Sequence, residues 1–524
     1  MSAKRIAIIN HGPGRQRGAA LMVMLVIMIV GAAAILVSSL SSSALKNARD
    51  NSTADALAQA RDALIGYAAS DPNRPGELPC PDVDDDGKLT MGIDYSSNCT
   101  SPIGRLPWKT LGLPDLRDGN GEHLWYAVSK TFWANGSATI NSDAQGNLNI
   151  SGTSPASGVI AIVFAPGATL SGQSRSNTQT GACATTGTTV ANNLCANNYL
   201  EDSNANLSTA GIPNTTFKTS ATTSTFNDQM ITISHDQLFA PVEMRIAREV
   251  KKCLDDYAAD ATNTYHRYPW AASTIDSTSP NRSGAYDVRF GRITETPNIS
   301  TASGGISPTG TMLTYIQDVQ NALNVYLNSP TSGNLSTLQD KGDHLKDYAT
   351  SGTSAYQAGY TADHCSGLSC TSTLQSQIDT AMGAGNPDPT MPNSNHWPAS
   401  CTLFSTSSYW PAWRDLVFYQ VAEGYRPGGG TFVPLQINGS GSYRAAVIVA
   451  GKSLGTQTRP KFATPPNDYL ANTTSEYSTD LSFVINAHDD AGSTTSFITY
   501  NISNPYYQNV NDLVVCVDGN NNCK

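Results

Sequence analysis

VIAIVFAPGATLSGQSR, residues 159–175, returns later in the chain as AAVIVAGKSLGTQTR, residues 445–459. Gly167, Leu170, Gln173 and Arg175 stand against Gly451, Leu454, Gln457 and Arg459, each set following an apolar run suited to a buried strand. Four more blocks return in the same order. ARDALIGYAAS, ending near Tyr67, matches AREVKKCLDDYAAD near Tyr257, and HLWYAVSKTF (123–132) matches DLVFYQVAEGY (415–425). NNYLED (197–202) matches NDYLAN (467–472), and NDQMITI (227–233) matches NDLVVCV (511–517). Order kept over five blocks predicts a duplication. Each copy reads as a helix followed by short strands, so the expected fold class is α+β, with a helix laid on an antiparallel sheet in each unit.

The two copies differ in length, because roughly 100 extra residues separate the second helix from its first matching strand. These fall at 273–411, an insertion that splits the second unit into 236–272 and 412–524, while the first unit occupies 70–235. TMLTYIQDVQNALNVYL (311–327) predicts one amphipathic helix in the insertion, with Ser/Gly/Thr-rich loops around it. The second unit's helix, 237–261, carries Arg245, Arg248, Lys251 and Lys252 and is expected on the surface.

A net charge of −10 with only 32 Lys and Arg leaves no basic surface for nucleic acid. Charged residues are 14 %, and abundant Ser, Thr, Asn and Gly suit an extracytoplasmic surface. Ten cysteines in an even, mostly local arrangement predict disulfides. Proximity pairs Cys80 with Cys99, Cys183 with Cys195, Cys365 with Cys370 and Cys516 with Cys523, which leaves Cys253 for Cys401. Zinc fits poorly, since no C-x-x-C occurs.

RQRGAALMVMLVIMIVGAAAILVSS (15–39) is the strongly apolar stretch. Nothing from Ala19 to Val37 is charged, a length of about 28 Å as helix, which predicts a transmembrane span over 19–37. Lys4, Arg5, Arg15 and Arg17 precede it and the next basic residue is Lys46, so the expected placement is single-pass, with the short N-terminus cytoplasmic and everything after the span outside. Ala44, Leu45, Ala48, Ala56, Leu57, Ala60, Leu64 and Tyr67 continue a helical spacing, extending the N-terminal helix over 19–69.

A basic leader ending in Gly18, a long helix ending in GYAAS, then LPCPDVDDDG and IGRLPWKTLGLPDLRDGNGEHLWYAVS resemble the type IV pilins and type II secretion pseudopilins, which share a prepilin-type N-terminal signal. The likeness covers residues 15 to 235, reaches the second unit only through the duplication, and does not include the insertion. It implies two tandem pilin-like heads, with a leader at 1–18 cut by prepilin peptidase between Gly18 and Ala19 and a methylated new N-terminus. It also implies other pilins or pseudopilins as partners through the N-terminal helix, with the inner membrane, and a head in the periplasm or on an extracellular pilus. Val23 would be the fifth mature residue, where the family has Glu, and this departure points to a large minor subunit at a filament tip. The alternatives are a bitopic surface adhesin or receptor, and a secreted glycan- or protein-binding protein cut near Ser39.

Asp82, Asp84 and Asp86 followed by Gly87 have the spacing that wraps a loop around calcium, with the Lys88 carbonyl and Asp94 as further ligands. Cys80 and Cys99 bracket that loop. Asp118–Glu122 and 518–522 read as turns. No G-x-S-x-G, H-E-x-x-H or phosphate-cradling glycine loop occurs, so the chain is expected to be non-catalytic. Among the crowded aromatics after residue 396, most read as core, with Trp397 and Trp410 as a possible binding face.

Overall fold

The structure is a computed structural model. It describes residues 17–91, 99–134, 138–183, 189–205, 215–272, 289–299, 311–381, 388, 391–392, 396–407, 409–429, 435–437, 440–454, 457, 459, 469–470, 496–497 and 512–518. Arg17–Ser70 is one continuous helix of 54 residues, α1. Thr53, Ala56, Leu57, Ala60, Leu64 and Ala68 recur at spacings of three and four and are buried. Ahead of Thr53 every described side chain, Met22, Met24 to Ile29 and 43–52, is exposed, so this half of α1 is an arm.

The expected membrane span over 19–37, and with it the single-pass inner-membrane placement, is overturned: among the described residues no helix is long and apolar enough to cross a membrane.

The α+β duplication is visible strand by strand. In the first unit β1 (Ile103–Arg105), β2 (Trp125–Val128), β5 (Ala161–Ala165) and β9 (Gln229–Ile233) form an antiparallel sheet in the order β1-β2-β5-β9. A smaller sheet joins β3 (Leu148–Gly152), antiparallel to β4 (Ala156–Val159) and parallel to β8 (Thr216–Thr219), while β6 (Thr180–Ala182) and β7 (Thr189–Ala191) pair as a hairpin. The second unit opens with α2 (His235–Ala258) and repeats the plan. Here β10 (Phe290–Arg292), β11 (Val417–Val421), β14 (Ala445–Val449) and β16 (Leu513–Val517) form the main sheet in that order. The small sheet has β12 (Leu435–Ile437) antiparallel to β13 (Ser440–Tyr443) and parallel to β15 (Ser496–Phe497). Because β10 lies inside 273–411, the added material sits between β10 and β11.

Alternation along the strands builds the layers. Tyr126, Val128, Val163, Val417, Tyr419 and Val447 share one core with α1 and α2, whereas Trp125, Ile162 and Phe164, and on the other side Phe418 and Ile448, pack beneath the small sheets. α1 lies on β5 and β9, α2 on β14 and β16, and the two helices on each other. The surface position expected for α2 is therefore corrected: Leu238, Phe239, Val242, Ile246, Val250 and Leu254 are buried along an apolar stripe. Arg245 crosses to α1, donating to Ala69 O (2.8 Å) and Asp71 O (2.6 Å) at the negative end of that helix.

A pair of edge strands shows why the sequence repeats at this level. Gly104 and Gly291 carry no side chain because a Cβ would collide with the carbonyl oxygens of Asp82 and Ala272, to whose residues the neighbouring Arg105 and Arg292 are bridged. Those arginines then meet the tyrosines of the NNYL and NDYL blocks. Tyr199 has the guanidiniums of Arg105 and Arg175 each 4.6 Å from its ring centre, and Tyr469 has Arg292 at 4.9 Å and Arg459 at 5.9 Å. Gln173 Oε1 accepts from Leu170 N (2.9 Å) and Arg175 (3.1 Å), as Gln457 Oε1 accepts from Leu454 N (2.8 Å) and Arg459 (3.2 Å). The residues shared by the two copies are thus a structural clamp.

The inserted unit contains α3 (Thr311–Asn328), α4 (Ser332–Tyr348), α5 (Ser354–Asp363) and α6 (Thr371–Ala381), packed around Ile316, Leu323, Leu338, Leu345 and Leu374. Two short helices, α7 (Leu403–Thr406) and α8 (Trp410–Trp413), lead into β11. The disulfides are Cys80–Cys99, Cys183–Cys195, Cys253–Cys401 and Cys365–Cys370. Cys516 is disulfide-bonded, and Cys523 lies outside the described residues.

Candidate metal centre

Backbone bonds fix the acidic loop to β1: Asp82 N donates to Arg105 O (3.0 Å) and Arg105 N to Asp82 O (2.6 Å). The buried Asp82 carboxylate organises the turn that follows. Its Oδ1 accepts from Asp84 N (3.1 Å) and Asp85 N (2.8 Å), and its Oδ2 from Gly87 N (2.7 Å). The chain can take this path because Gly87 has φ +84°, and a Cβ there would meet the Trp108 indole at 2.8 Å. Lys109 N donates to Gly87 O (2.8 Å), Leu89 N to Thr110 Oγ1 (2.9 Å), and the Cys80–Cys99 bridge closes the base.

Asp82, Asp84 and Asp86 each bring an oxygen within 4.8 Å of the others, with Asp84 and Asp86 exposed. Burial pushes the Asp82 carboxyl up to about 6, and Asp84 adds to this against the opposing N–H groups of Gly87 and Asp85. Three converging carboxylates of this kind suit a hard divalent cation, and nothing in the donor set selects calcium over another. Lys88 spends its N–H on Asp86 Oδ1 (2.7 Å), and Asp94 lies outside the described residues. Asp85 is turned away from the cluster. It pairs with Arg105 (3.0 Å) and His123 Nδ1 (2.8 Å), and although burial raises its carboxyl, these partners hold it below the usual range.

The other sequence candidates resolve as structural groups. Asp118 is buried, and its Oδ1 accepts from Asn120 N (2.8 Å) and Glu122 N (3.0 Å) and its Oδ2 from Gly167 N (2.8 Å), while Gly119 N donates to Thr53 Oγ1 (3.0 Å) and so holds α1 where it leaves the head. His235, at the start of α2, is likewise a structural group, hydrogen-bonded to Ser142 O (2.8 Å) and Asp236 (3.0 Å). Trp410 is buried, with Nε1 on Glu295 (2.8 Å), and Trp397 is half-buried against Phe404 and Tyr257 with Nε1 on Thr294 O (3.2 Å). The two tryptophans therefore belong to packing around Phe404. Gly18 and Ala19 lie in the first turn of α1. Arg105 and Arg292 are signalled in the sequence only by the repeated IGR and FGR triplets.

No protein-family model, no curated protein and no solved structure matches the chain.

Proposed function

We propose that the chain is a non-catalytic subunit of a type IV pilus or type II secretion pseudopilus, joined to its neighbours through the exposed arm of α1. The observation that carries this reading is the arm itself. Met22, Met24 to Ile29 and Leu45 are exposed on a helix whose other half is fixed in the head, and contiguous apolar surface of this kind is an association surface. Two repeat units and a helical insertion make a bulky head, which favours a filament end over the shaft. The basic leader and Gly18–Ala19 supply the processing site, with prepilin peptidase as the enzyme that acts there. The acidic loop accords with this role as a cation-stiffened surface loop.

Placing a cysteine at Ile27 in the full-length chain tests the reading, because every cysteine described is already bridged. Under mild oxidation in the producing cell, Ile27→Cys should form intermolecular disulfides, and a cysteine at exposed Ser351 on the inserted unit should not. Equal cross-linking at both positions, or none at Ile27, contradicts it.

A further inference from the structure

We propose that Glu201 and Asp228 form a proton-operated clasp that holds the Tyr199–Ala205 segment on the start of β9 and opens when the pair loses its single proton. Each carboxylate accepts the other's backbone N–H: Glu201 N donates to Asp228 Oδ2 (2.9 Å) and Asp228 N to Glu201 Oε2 (3.1 Å). Asn227 N also donates to Glu201 Oε2 (2.9 Å), Gln173 Nε2 to Glu201 Oε1 (2.7 Å), and Asn204 Nδ2 to Asp228 Oδ2 (2.9 Å). Three of the four carboxylate oxygens are thereby supplied with donors. The fourth, Asp228 Oδ1, is buried and has no donor among the described residues. A proton on Asp228 turns this orphan into an O–H that can be given to Glu201, and it removes the cost of two adjacent buried anions.

Among the described residues the surroundings offer no other neutralisation. On the outer side Lys218 is paired with Asp202, and Arg175 is paired with Glu122 (2.9 Å) and held on Gln173. No Lys, Arg or His among the described residues forms an ion pair with Glu201 or Asp228. Burial, followed by the charge of Glu201, pushes the Asp228 carboxyl well above the usual range. The folded chain then holds a proton that the unfolded chain releases, so stability falls as pH climbs from the ordinary Asp range toward the raised value. The clasp is closed on the acid side and loosens on the alkaline side.

Its opening reaches further than its own loop. Tyr199, two residues before Glu201, sits against Arg105, and Arg105 holds Asp85 in the acidic turn. The second unit has Ala471 at the position of Glu201 and spends Asp512 Oδ1 on Gly451 N (3.0 Å), so the clasp belongs to the first unit alone.

Amide exchange of the full-length chain tests this, measured at about pH 6 and about pH 9 and corrected for intrinsic rates. Protection of the peptide spanning 198–205 should fall about tenfold or more at the higher pH. Asp228→Asn, which cannot ionise and donates an N–H toward Glu201, should stay protected at both. Glu201→Gln removes the paired charge from the other side and should be equally insensitive, which serves if the first variant does not fold. Wild-type protection that is unchanged with pH, or variants that lose it as the wild type does, overturns the proposal. Calcium that restores alkaline protection to the wild type also overturns it, since the pair would then hold a cation in place of the proton.

Discussion

The two repeat units share a sheet order, a small sheet and an arginine–tyrosine clamp, yet they are charged differently. In the first, Asp85 meets Arg105 and a cluster of carboxylates lies alongside; in the second, Ala272 stands where the first has Asp82, and Arg459 reaches out of its own unit to Asp143 (2.7 Å) of the first. One position of the paired helices shows the contrast most sharply. Thr53 of α1 accepts Gly119 N, whereas the matching Glu243 of α2 is a buried carboxyl facing Ser142 of the first unit, with Asp512, Asp236 and Arg459 around it. Duplication kept the clamp that shapes each unit. Charge was free to diverge wherever one copy became the other's neighbour.

The largest effect is expected where the units are alike. Tyr199→Ala and Tyr469→Ala each remove a buried ring from its two guanidiniums and should cost about 3–5 kcal/mol in denaturant unfolding. A near-neutral result for one of them would break the equivalence of the two clamps.

Next comes Glu243, where they differ. Burial raises its carboxyl to about 8, so the folded chain keeps a proton that the unfolded chain loses. Stability should fall as pH rises from the ordinary Glu range toward about 8, by about 2–4 kcal/mol in total. Glu243→Gln should flatten that part of the pH profile, and Glu243→Thr, the first unit's residue, should do the same at the price of a small cavity. An unchanged slope in both variants would place the dependence elsewhere.

Asp85→Asn comes third, since it leaves the nearly buried Arg105 without its carboxylate. A loss of about 2 kcal/mol is expected in thermal or denaturant unfolding. Smallest is the acidic loop itself. Millimolar divalent cation should raise the melting temperature through a gain of about 1–2 kcal/mol, and Asp84→Asn should remove that gain while barely changing the apo chain. A cation effect that survives Asp84→Asn would move the site away from this loop.

The duplication was legible because strands buried on both faces write continuous apolar runs and because the clamp needs fixed residue types at fixed spacing. IGR and FGR were as regular, but a triplet is too short to stand out, so β10 went to the insertion. Three helices of the inserted unit escaped for a different reason. Their contacts rest on small residues, with Gly342 and Gly359 letting α4 and α5 approach backbone to backbone beside Ala358 and Ala362, and such residues carry little hydrophobic period. Thr331 and Thr353, which cap α4 and α5, looked like loop residues in a Ser/Thr-rich stretch. The charges of α2 argue for the surface, but the apolar stripe on its opposite face seats it against the sheet and α1. The acidic loop was readable from spacing alone, whereas the Glu201–Asp228 clasp joins two loops that only the fold brings together.

The mature N-terminus tests the filament reading most directly. Mass spectrometry of the chain from its producing cell should find a polypeptide beginning at Ala19 with a methylated amine. A chain that keeps Met1, or one that begins near Ser39, would contradict the account.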